Sequence, residues 1–248
     1  MTALSDLLVI TSGSSEKIWK LISDLGHSII KPVPSLFTFN INDSRLSEYA
    51  GVSWPNAQIK LIGTKIKSTG AVLITHWGLS GPAILRLSAV AARELSDLSY
   101  QASIEINFLY PFSSNEVKEQ MTDYKIKNPN KLVFSFLPMG FTQRIWMAWL
   151  TLLGFSQKRW QEMSYSSIIL LSEFLTKAHF KMNGKSTFKE EFVTSGGVAL
   201  KEIDMKTMQS KLIPNLFFAG EVLDIDAVTG GFNFQAAWTT GWIAGSNE

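Results

Sequence analysis

Cysteine is absent from this sequence of 248 residues, and histidine occurs only three times. The lack of cysteine excludes disulfide bonds, cysteine-ligated metals and thiol catalysis, and it fits a reducing compartment. The three histidines, His27, His76 and His179, are scattered along the chain and show no paired spacing. The sequence therefore predicts no metal site.

Strong net charge and long apolar runs are missing as well. The net charge is +2, and with 46% apolar and 18% charged residues the composition is that of a globular chain with a real core. So small a net charge gives no reason to expect nucleic acid or an anionic membrane as a partner. The longest apolar run, near residues 145–155, is too short to span a bilayer, and the N-terminus lacks the pattern of a signal peptide. We expect a cytoplasmic protein that binds neither nucleic acid nor membrane.

No G-x-G-x-x-G segment occurs anywhere in the sequence. That turn joins the first strand and helix of a dinucleotide-binding fold and brings a pyrophosphate close to the backbone. A strand–loop–helix unit is nevertheless predicted over residues 7–26. An apolar strand precedes a loop with Ser12 and Gly13, and the following amphipathic helix begins near Ser14 or Ser15 and ends at Gly26.

The segment over residues 215–235 carries the strongest functional signal. A short apolar strand ends in Gly220 and Glu221, and a polar turn leads to Thr229, Gly230 and Gly231 at the start of a helix. The carboxylate can accept hydrogen bonds from sugar hydroxyls, and the glycines let a ligand meet the free N–H groups and the positive end of the helix dipole. The alternative is an ordinary turn beside a solvated glutamate, and spacing alone leaves both interpretations open.

A second glycine-bracketed segment, residues 75–85, reads T-H-W-G-L-S-G-P-A-I-L and precedes a helix predicted to run to about residue 98. It contains His76, the one histidine with a plausible chemical role, because an imidazole can donate or accept a proton near neutral pH. The alternative is that His76 forms a hydrogen bond that fixes the loop, since no acidic residue adjoins it. Of the other histidines, His27 follows a helix end and is expected to be structural, and His179 falls in a predicted helix.

Two regions of different character lie between these segments. The pattern over residues 32–110 favours strands and predicts a small barrel or curved antiparallel sheet, entered through a proline-punctuated crossover at residues 31–35. Residues 111–180 predict three helices whose apolar faces are rich in aromatic side chains. A hairpin is predicted at Asn183 and Gly184, with residues 187–188 on its second arm, and a turn is predicted at Gly196 and Gly197.

These segments together resemble one family of bacterial NAD(P)/FAD-dependent oxidoreductases, the YhiN-like, BaiN-like or aminoacetone-oxidase-type flavoproteins. The C-terminal segment is similar to the family pattern F-F-A-G-E-V-L-D-x-D-G-x-T-G-G-Y-N-x-Q, with Ala227 in place of Gly and Phe232 in place of Tyr. The patterns T-H-x-G-L-S-G-P-A and V-T-x-G-G-V-x-L-x-E-I are matched from Thr75 and Val193. The family's strand end A-T-G-G reads I-T-S-G in this chain, so Ser12 stands in place of a glycine. The resemblance covers essentially the whole chain but starts part-way into the family's length.

The resemblance implies a mixed α+β and α/β fold that corresponds to the C-terminal portion of such a flavoprotein. Residues 1–31 and 193–248 would form a partial FAD-binding dinucleotide-fold domain without its N-terminal G-x-G-x-x-G unit. Residues 32–110 would form an inserted, barrel-like β-rich subdomain, and residues 111–192 an inserted helical subdomain.

The implied function is an FAD-dependent oxidoreductase, NAD(P)H-linked, acting on a small organic substrate. His76 is the candidate catalytic residue, and the implied cofactor-binding residues are Ser12, Gly13, Gly220, Glu221, Thr229, Gly230, Gly231, Phe232 and Asn233. A nicotinamide-only reductase is disfavoured by the same missing glycine motif. The alternative to an enzyme is a remnant or binding module that retains no flavin. It would pair with a separate N-terminal chain or self-associate through the sheet edge left open.

Overall fold

The computed structural model describes residues 6–186 and 193–246, which form twelve β-strands and seven α-helices. The strands are β1 (Leu8–Ile10), β2 (Ile29–Ser35), β3 (Phe39–Asn40), β4 (Ser53–Leu61), β5 (Lys67–Thr75), β6 (Gly78–Ser80), β7 (Gln101–Asn107), β8 (Ala178–Asn183), β9 (Val193–Val198), β10 (Ile203–Asp204), β11 (Gln209–Ser210) and β12 (Leu216–Phe218). The helices are α1 (Glu16–Asp24), α2 (Pro82–Val90), α3 (Ala92–Asp97), α4 (Ser114–Lys127), α5 (Gln143–Leu152), α6 (Tyr165–Thr176) and α7 (Phe232–Gly245).

The chain divides into two compact units. The barrel unit comprises Thr38–Leu87 and Asp97–Thr187, and the terminal unit comprises Met1–Phe37, Ser88–Ser96 and Phe188–Glu248. Their charges have opposite signs. The barrel unit contains fifteen lysines and arginines against nine acidic residues, a net charge of +6, whereas the terminal unit contains eight against twelve, a net charge of −4.

The barrel unit is built on an antiparallel sheet with the strand order β3-β6-β5-β4-β7-β8. Its two outer strands meet, because the backbone N–H of Asn40 donates to the carbonyl of Gly184 at 2.9 Å and that of Ser186 donates to Thr38 at 3.0 Å. The sheet is therefore a nearly closed barrel, which hides the strand edges that would otherwise be free to pair. This architecture agrees with the barrel-like sheet predicted from the strand pattern.

An aromatic cluster fills the barrel unit. Trp54 on β4 lies 4.4 Å from the ring of Phe108 and 6.0 Å from that of Trp149 on α5, measured between ring centroids. Phe141 packs edge-on against Trp54 at 5.4 Å. All four side chains are at least nine-tenths buried. Large buried aromatic rings contribute much of the stability of a core of this kind, so Trp149 anchors α5 to the sheet.

The terminal unit combines a mixed sheet with two helices. Strand β1 pairs in parallel with β12, and β12, β11 and β10 continue the sheet in antiparallel order. Trp19 and Ile22 of α1 pack with Phe217, Phe218 and Val222 in the core of this unit. A separate two-stranded antiparallel pair is formed by β2 and β9. Parallel strands that end together place their following loops side by side, which is the arrangement of ligand sites in open α/β sheets.

Several predictions from the sequence are wrong in their local structure. Residues 31–35, predicted as a crossover, belong to strand β2, whose register shifts between Ile30 and Val33, and the barrel unit begins soon after them at Thr38. Gly196 and Gly197 lie within β9 and do not form a turn. At each of them the missing side chain leaves room for a neighbouring stretch of backbone. A Cβ atom at Gly197 would lie 2.5 Å from the carbonyl oxygen of Val222. The helix that begins at Pro82 ends at Val90, and α3 starts anew after Ala91.

His179 is likewise not helical. It lies on strand β8, directly opposite Glu105 of β7, and its Nε2 is 3.0 Å from a carboxylate oxygen of that residue. The second arm of the predicted hairpin, residues 187–188, falls outside the described residues.

Candidate functional site

A cleft of about 450 Å³ lies in the terminal unit between the end of β12 and the start of α7. Its lining residues are Leu36, Val193, Gly220, Glu221, Ile225, Val228, Thr229, Gly230, Gly231, Asn233, Phe234, Ala236, Ala237 and Thr240. The walls are mostly small or apolar, and the polar groups are few. Cofactor and small-molecule sites have this size and this kind of lining.

Glu221 is held in the cleft by one backbone hydrogen bond to its carboxylate and by the position of its own turn. It lies in a short 3₁₀ turn, Gly220–Val222, that follows β12 directly. One carboxylate oxygen, Oε1, accepts a hydrogen bond from the backbone N–H of Thr194 at 2.8 Å. The N–H of Gly220 donates to the Thr240 hydroxyl at 2.9 Å, which ties the turn to α7. A carboxylate fixed through one oxygen can present the other to a ligand hydroxyl.

The loop before α7 is closed by the side chain of Asn233. Its Oδ1 accepts from the backbone N–H of Ala227 at 2.9 Å, and its Nδ2 donates to the carbonyl of the same residue at 3.0 Å. Both hydrogen-bonding atoms of the amide are therefore engaged in holding the loop. Asn233 shapes the cleft through its side chain, and its backbone N–H lies in the first turn of α7, where no intrahelical acceptor exists.

The step from Gly230 to Gly231 opens the start of α7 to a ligand. Both residues have positive φ, +124° and +83°, which a side chain would disfavour, and Gly231 is the N-cap. A Cβ atom at Gly231 would meet no atom within 4 Å, so the space beside it is open. The exposed N–H groups and the positive end of the helix dipole favour an electron-rich group at this point.

Six of the nine cofactor-binding residues predicted from the sequence line this cleft: Gly220, Glu221, Thr229, Gly230, Gly231 and Asn233. The other three, Ser12, Gly13 and Phe232, do not line it, although the loop with Ser12 and Gly13 follows β1 beside the end of β12. Their roles in cofactor binding stay predictions. Sequence reasoning missed the wall formed by Leu36, Val193 and Thr240. The small residues Ala236 and Ala237 of α7 also line the cleft.

His76 lies at a different cavity, in the barrel unit. It forms the two-residue turn between β5 and β6 together with Trp77. The side chain is exposed, and among the described residues it has no hydrogen-bond partner, so the loop is not fixed by the imidazole. The shape of the turn depends on Gly78, since a Cβ atom there would lie 2.2 Å from the carbonyl oxygen of Phe39. The catalytic role of His76 stays a prediction.

His27 is structural, as expected from its place after α1. It is buried between the carboxylate of Glu202, 3.2 Å from Nδ1, and the hydroxyl of Ser210, 2.9 Å from Nε2. Hydrogen bonding by Ser28 lowers the pKa of Glu202, although partial burial opposes the shift, and His27 contributes in the same lowering direction. Within residues 6–186 and 193–246 no cluster of three or more potential ligands suits a metal ion. None of the helices there is long and apolar enough to cross a membrane.

Comparison with known proteins identifies the class. Residues 33–193 match the family described as "HI0933-like protein barrel and H2TH domain". The nearly closed barrel of this mixed α/β structure agrees with the barrel that the family description names. Because the match spans more than half of the sequence, the chain belongs to the HI0933-like family.

Curated relatives share most of this chain. It is 29% identical over 226 residues to a ribosomal RNA dihydrouridine synthase of Haemophilus influenzae, a match of 90% of this chain and 53% of the relative. It is 26% identical to the enzyme of that name from Escherichia coli, over 93% of this chain and 55% of the relative. A 3-dehydro-bile acid delta(4,6)-reductase of Clostridium scindens is 25% identical over 94% of this chain and 58% of the relative. The chain thus spans about half the length of the curated relatives it matches.

Proposed function

We propose that the protein is a flavin-dependent reductase, and that the terminal-unit cleft holds the flavin. The observation that carries the proposal is the placement of Glu221, Gly230 and Gly231 around one cleft beside the N-terminus of α7. This is the arrangement that the family resemblance implies for the ribityl chain and the ring. This chain has no G-x-G-x-x-G motif, which is the usual binding motif for the pyrophosphate and adenosine half of FAD.

The residues present fit the ring and ribityl part of a flavin. The free oxygen of Glu221 would accept hydrogen bonds from ribityl hydroxyls, and the N–H groups from Gly231 to Asn233 would donate to the pyrimidine edge of the ring. The small side chains of Ala236 and Ala237 leave room for a flat ring along α7. When bound, the flavin would supply hydride transfer, and the chain's contribution is to orient it and to favour negative charge at the ring edge.

The names of the relatives suggest two substrate classes for a reductase of this type. One relative acts on a bile acid, and two act on uridine in ribosomal RNA. The first class agrees with our expectation of a small organic substrate, with NAD(P)H as electron donor. The second competes with our expectation of no nucleic-acid partner, which relied on the small net charge of the whole chain. A local net charge of +6 on the barrel unit supports the second class.

The test is a visible absorption spectrum of the purified protein, recorded before and after addition of excess FAD and desalting. We expect flavin bands close to stoichiometric amount. Riboflavin should bind about as well as FAD in a fluorescence titration, because the contacts of this chain reach the ring and ribityl chain. The variant Glu221→Gln should bind about tenfold more weakly, since a charge-assisted hydrogen bond to a hydroxyl is lost. Glu16→Gln, on the surface of α1, serves as the matched control.

A colourless protein that retains no flavin would overturn the proposal and favour the second candidate, a binding module. One observation supports that candidate. Strand β1 has a neighbour on only one side among the described residues, and Phe234, Trp238 and Trp242 on one side of α7 are 67%, 70% and 78% exposed. Such a surface would be covered by self-association or by a separate chain. Light scattering tests it: a dimer that Trp238→Glu converts to a monomer supports the module, and a monodisperse wild-type monomer contradicts self-association.

A further inference from the structure

A second cavity of the terminal unit differs in chemistry from the flavin cleft. It has a volume of about 550 Å³, within the range of small-molecule sites, and all of its lining residues belong to the terminal unit. Half of these residues are aliphatic, and the other half are Arg93, Glu94, Ser195, Asp224 and Asp226. Three carboxylates against one guanidinium give the lining a net charge of −2 near neutral pH.

The side chain of Ser195 is buried at this cavity without a hydrogen-bond partner. The residue is 7% exposed, and its hydroxyl forms no hydrogen bond with any of the described residues. Its backbone lies on β9 opposite Val33 of β2, so the strand pair fixes the position of the side chain. Buried polar atoms are normally paired, so an unpaired hydroxyl in a cavity wall indicates a ligand group or an ordered water.

Each of the three carboxylates retains an oxygen for a ligand. Asp226 accepts a hydrogen bond from the Ser35 hydroxyl at 3.1 Å through Oδ2, which leaves Oδ1. Asp224 contacts the guanidinium of Arg93 at 3.3 Å through Oδ1, which leaves Oδ2. Glu94 forms no hydrogen bond or ion pair within the described parts of the chain. Ionised carboxylates only accept hydrogen bonds, so their counterpart is a group with adjacent donors, such as the vicinal hydroxyls of a ribose.

The polar cavity borders the flavin cleft. Ile225, which lies between the two aspartates, lines both cavities. The loop at this border is held by the backbone N–H of Asp224, which donates to the carbonyl of Val198 at 3.0 Å. A flavin reductase needs its electron donor beside the flavin. An ammonium ligand would match the charge of the wall but not its aliphatic half, whereas a ribose with its attached base would contact both kinds of surface.

We propose that this cavity binds the adenosine ribose of the electron donor and selects NADH over NADPH. An acidic side chain that accepts from the ribose 2′-hydroxyl is the usual means of preferring NAD, and a nearby arginine is the usual means of accepting the 2′-phosphate of NADP. Here Arg93 is already engaged by Asp224 and by the carbonyl of Lys31. A 2′-phosphate, with about two negative charges, would therefore be repelled by the carboxylates. The inference rests on the proposed function for the hydride transfer and names its donor.

Two molecules could supply the same ribose, the nicotinamide dinucleotide or the adenosine half of FAD. The exposure of the cavity favours the dinucleotide. Arg93 and Glu94 are both exposed, so the cavity can be entered from solvent. A donor that binds and leaves in every turnover requires such an entrance, whereas a flavin that stays bound does not.

The experiment measures binding without flavin, by saturation-transfer NMR on the full chain with NADH and NADPH as probes. NADH should bind at least about tenfold more tightly than NADPH, because the carboxylates oppose the additional phosphate. Glu94→Gln and Asp226→Asn should each reduce that ratio at least about threefold. Ser195→Ala should weaken NADH binding about fivefold through the loss of one hydrogen bond. Glu16→Gln, an exposed carboxylate on α1 outside the cavity, is the matched control. Circular dichroism of each variant checks that it is folded.

The inference is overturned if neither dinucleotide binds, if NADPH binds as tightly as NADH, or if the cavity variants change the ratio no more than Glu16→Gln does. The source of the ribose is decided by comparing FAD with riboflavin. If FAD binds at least about tenfold more tightly and Ser195→Ala removes that gain, the ribose is that of FAD and the assignment to the donor is wrong. A protein that prefers NADH and remains colourless with FAD would refute the flavin proposal alone.

Discussion

The two units are stabilised by different means. In the barrel unit, aromatic rings such as those of Trp54, Phe108 and Trp149 pack against one another. In the terminal unit the parts around the cleft are joined by polar contacts to backbone groups, among them Glu221 with Thr194 and Asn233 with Ala227. The burial of apolar rings is a non-directional contribution, whereas a hydrogen bond requires a narrow range of distance and angle.

This difference matches what each unit is proposed to do. A flavin ring needs a backbone edge at a fixed distance, so the terminal unit sets its loops by directional bonds. The barrel unit provides a stable frame, and its turn at His76 and Trp77 is exposed, outside the core. Substitutions in the two units should therefore fail in different ways: loss of stability in the barrel unit, and loss of cleft geometry in the terminal unit.

The largest expected effect is that of Trp54→Ala in the barrel core. Trp54 is fully buried and contacts three other aromatic rings, so its truncation should cost about 3–5 kcal/mol in the free energy of unfolding, measured by urea denaturation. Trp54→Phe is the control. Its cost should be much smaller, because the buried indole N–H of Trp54 has no hydrogen-bond partner among the described residues and its removal offsets part of the lost packing. Equal costs for the two variants would contradict a packing role.

The second prediction concerns the backbone crossing in the terminal unit. Gly197→Ala would bring a Cβ atom to 2.5 Å from a carbonyl oxygen at a φ of +133°, so about 2–3 kcal/mol should be lost. Gly26→Ala separates the two causes, because Gly26 also has positive φ, +98°, but has no atom within 4 Å of the Cβ position. It should cost only about 1 kcal/mol. If Gly26→Ala is as damaging as Gly197→Ala, the close crossing is not the reason for the glycine.

The sequence allowed the regular elements to be predicted because their signals are local. Apolar periodicity located α1 to within one or two residues, and the three helices predicted over residues 111–180 correspond to α4, α5 and α6. The six cleft residues could be predicted because they lie within one continuous segment, residues 220–233. Recognition of a motif along the chain sufficed there, and no long-range contact had to be known.

The errors arose where a residue's role depends on a distant segment. Two successive glycines such as Gly196 and Gly197 are typical of a turn. Here both lie on β9, where the missing side chains leave room for the backbone at Lys31 and Val222. His179 belongs to a strand only because β7 pairs with it. Leu36 enters the cleft wall through a positive φ of 56°, which no leucine indicates in a sequence. Contacts between segments that lie apart in the sequence leave no periodic trace, so these positions needed the structure.

The third prediction tests the loop that Asn233 closes. Asn233→Ala removes both hydrogen bonds to the backbone of Ala227 and leaves those groups to water, at a cost of about 1–2 kcal/mol. The larger effect should be on the cleft, because the freed loop no longer holds Thr229 and Gly230 in place. Flavin affinity in the fluorescence titration should fall more than stability does. Gln235→Ala is the control, since the side-chain hydrogen bond of Gln235 within the described part of the chain goes to Thr239 on the same helix. A loss of stability with flavin affinity unchanged would contradict the role of the loop.

The smallest effects are expected from two carboxylates, one in each unit. Glu202 in the terminal unit accepts hydrogen bonds from Ser28 and contacts His27, and Glu116 in the barrel unit caps α4 through Ser113. Hydrogen bonding by Ser28 lowers the pKa of Glu202, and hydrogen bonding by Ser113 lowers that of Glu116. In both cases the ionised form is favoured in the folded state. The resulting stability is present above the ordinary glutamate pKa of 4.5 and is lost as the pH falls through the lower folded-state value.

Glu202→Gln and Glu116→Gln should therefore lower the thermal midpoint at pH 7, and both deficits should shrink as the pH is lowered below about 4.5. The deficit of Glu202→Gln should be the larger, because its carboxylate links the buried His27 to the start of β2, whereas Glu116 is solvent-exposed at a helix end where charge is screened. Thermal melts of both variants between pH 3 and pH 7 measure this. A deficit for Glu202→Gln that is constant across the range would mean that the loss comes from geometry and not from charge. The polar contacts of the terminal unit would then position its loops without contributing electrostatic stability.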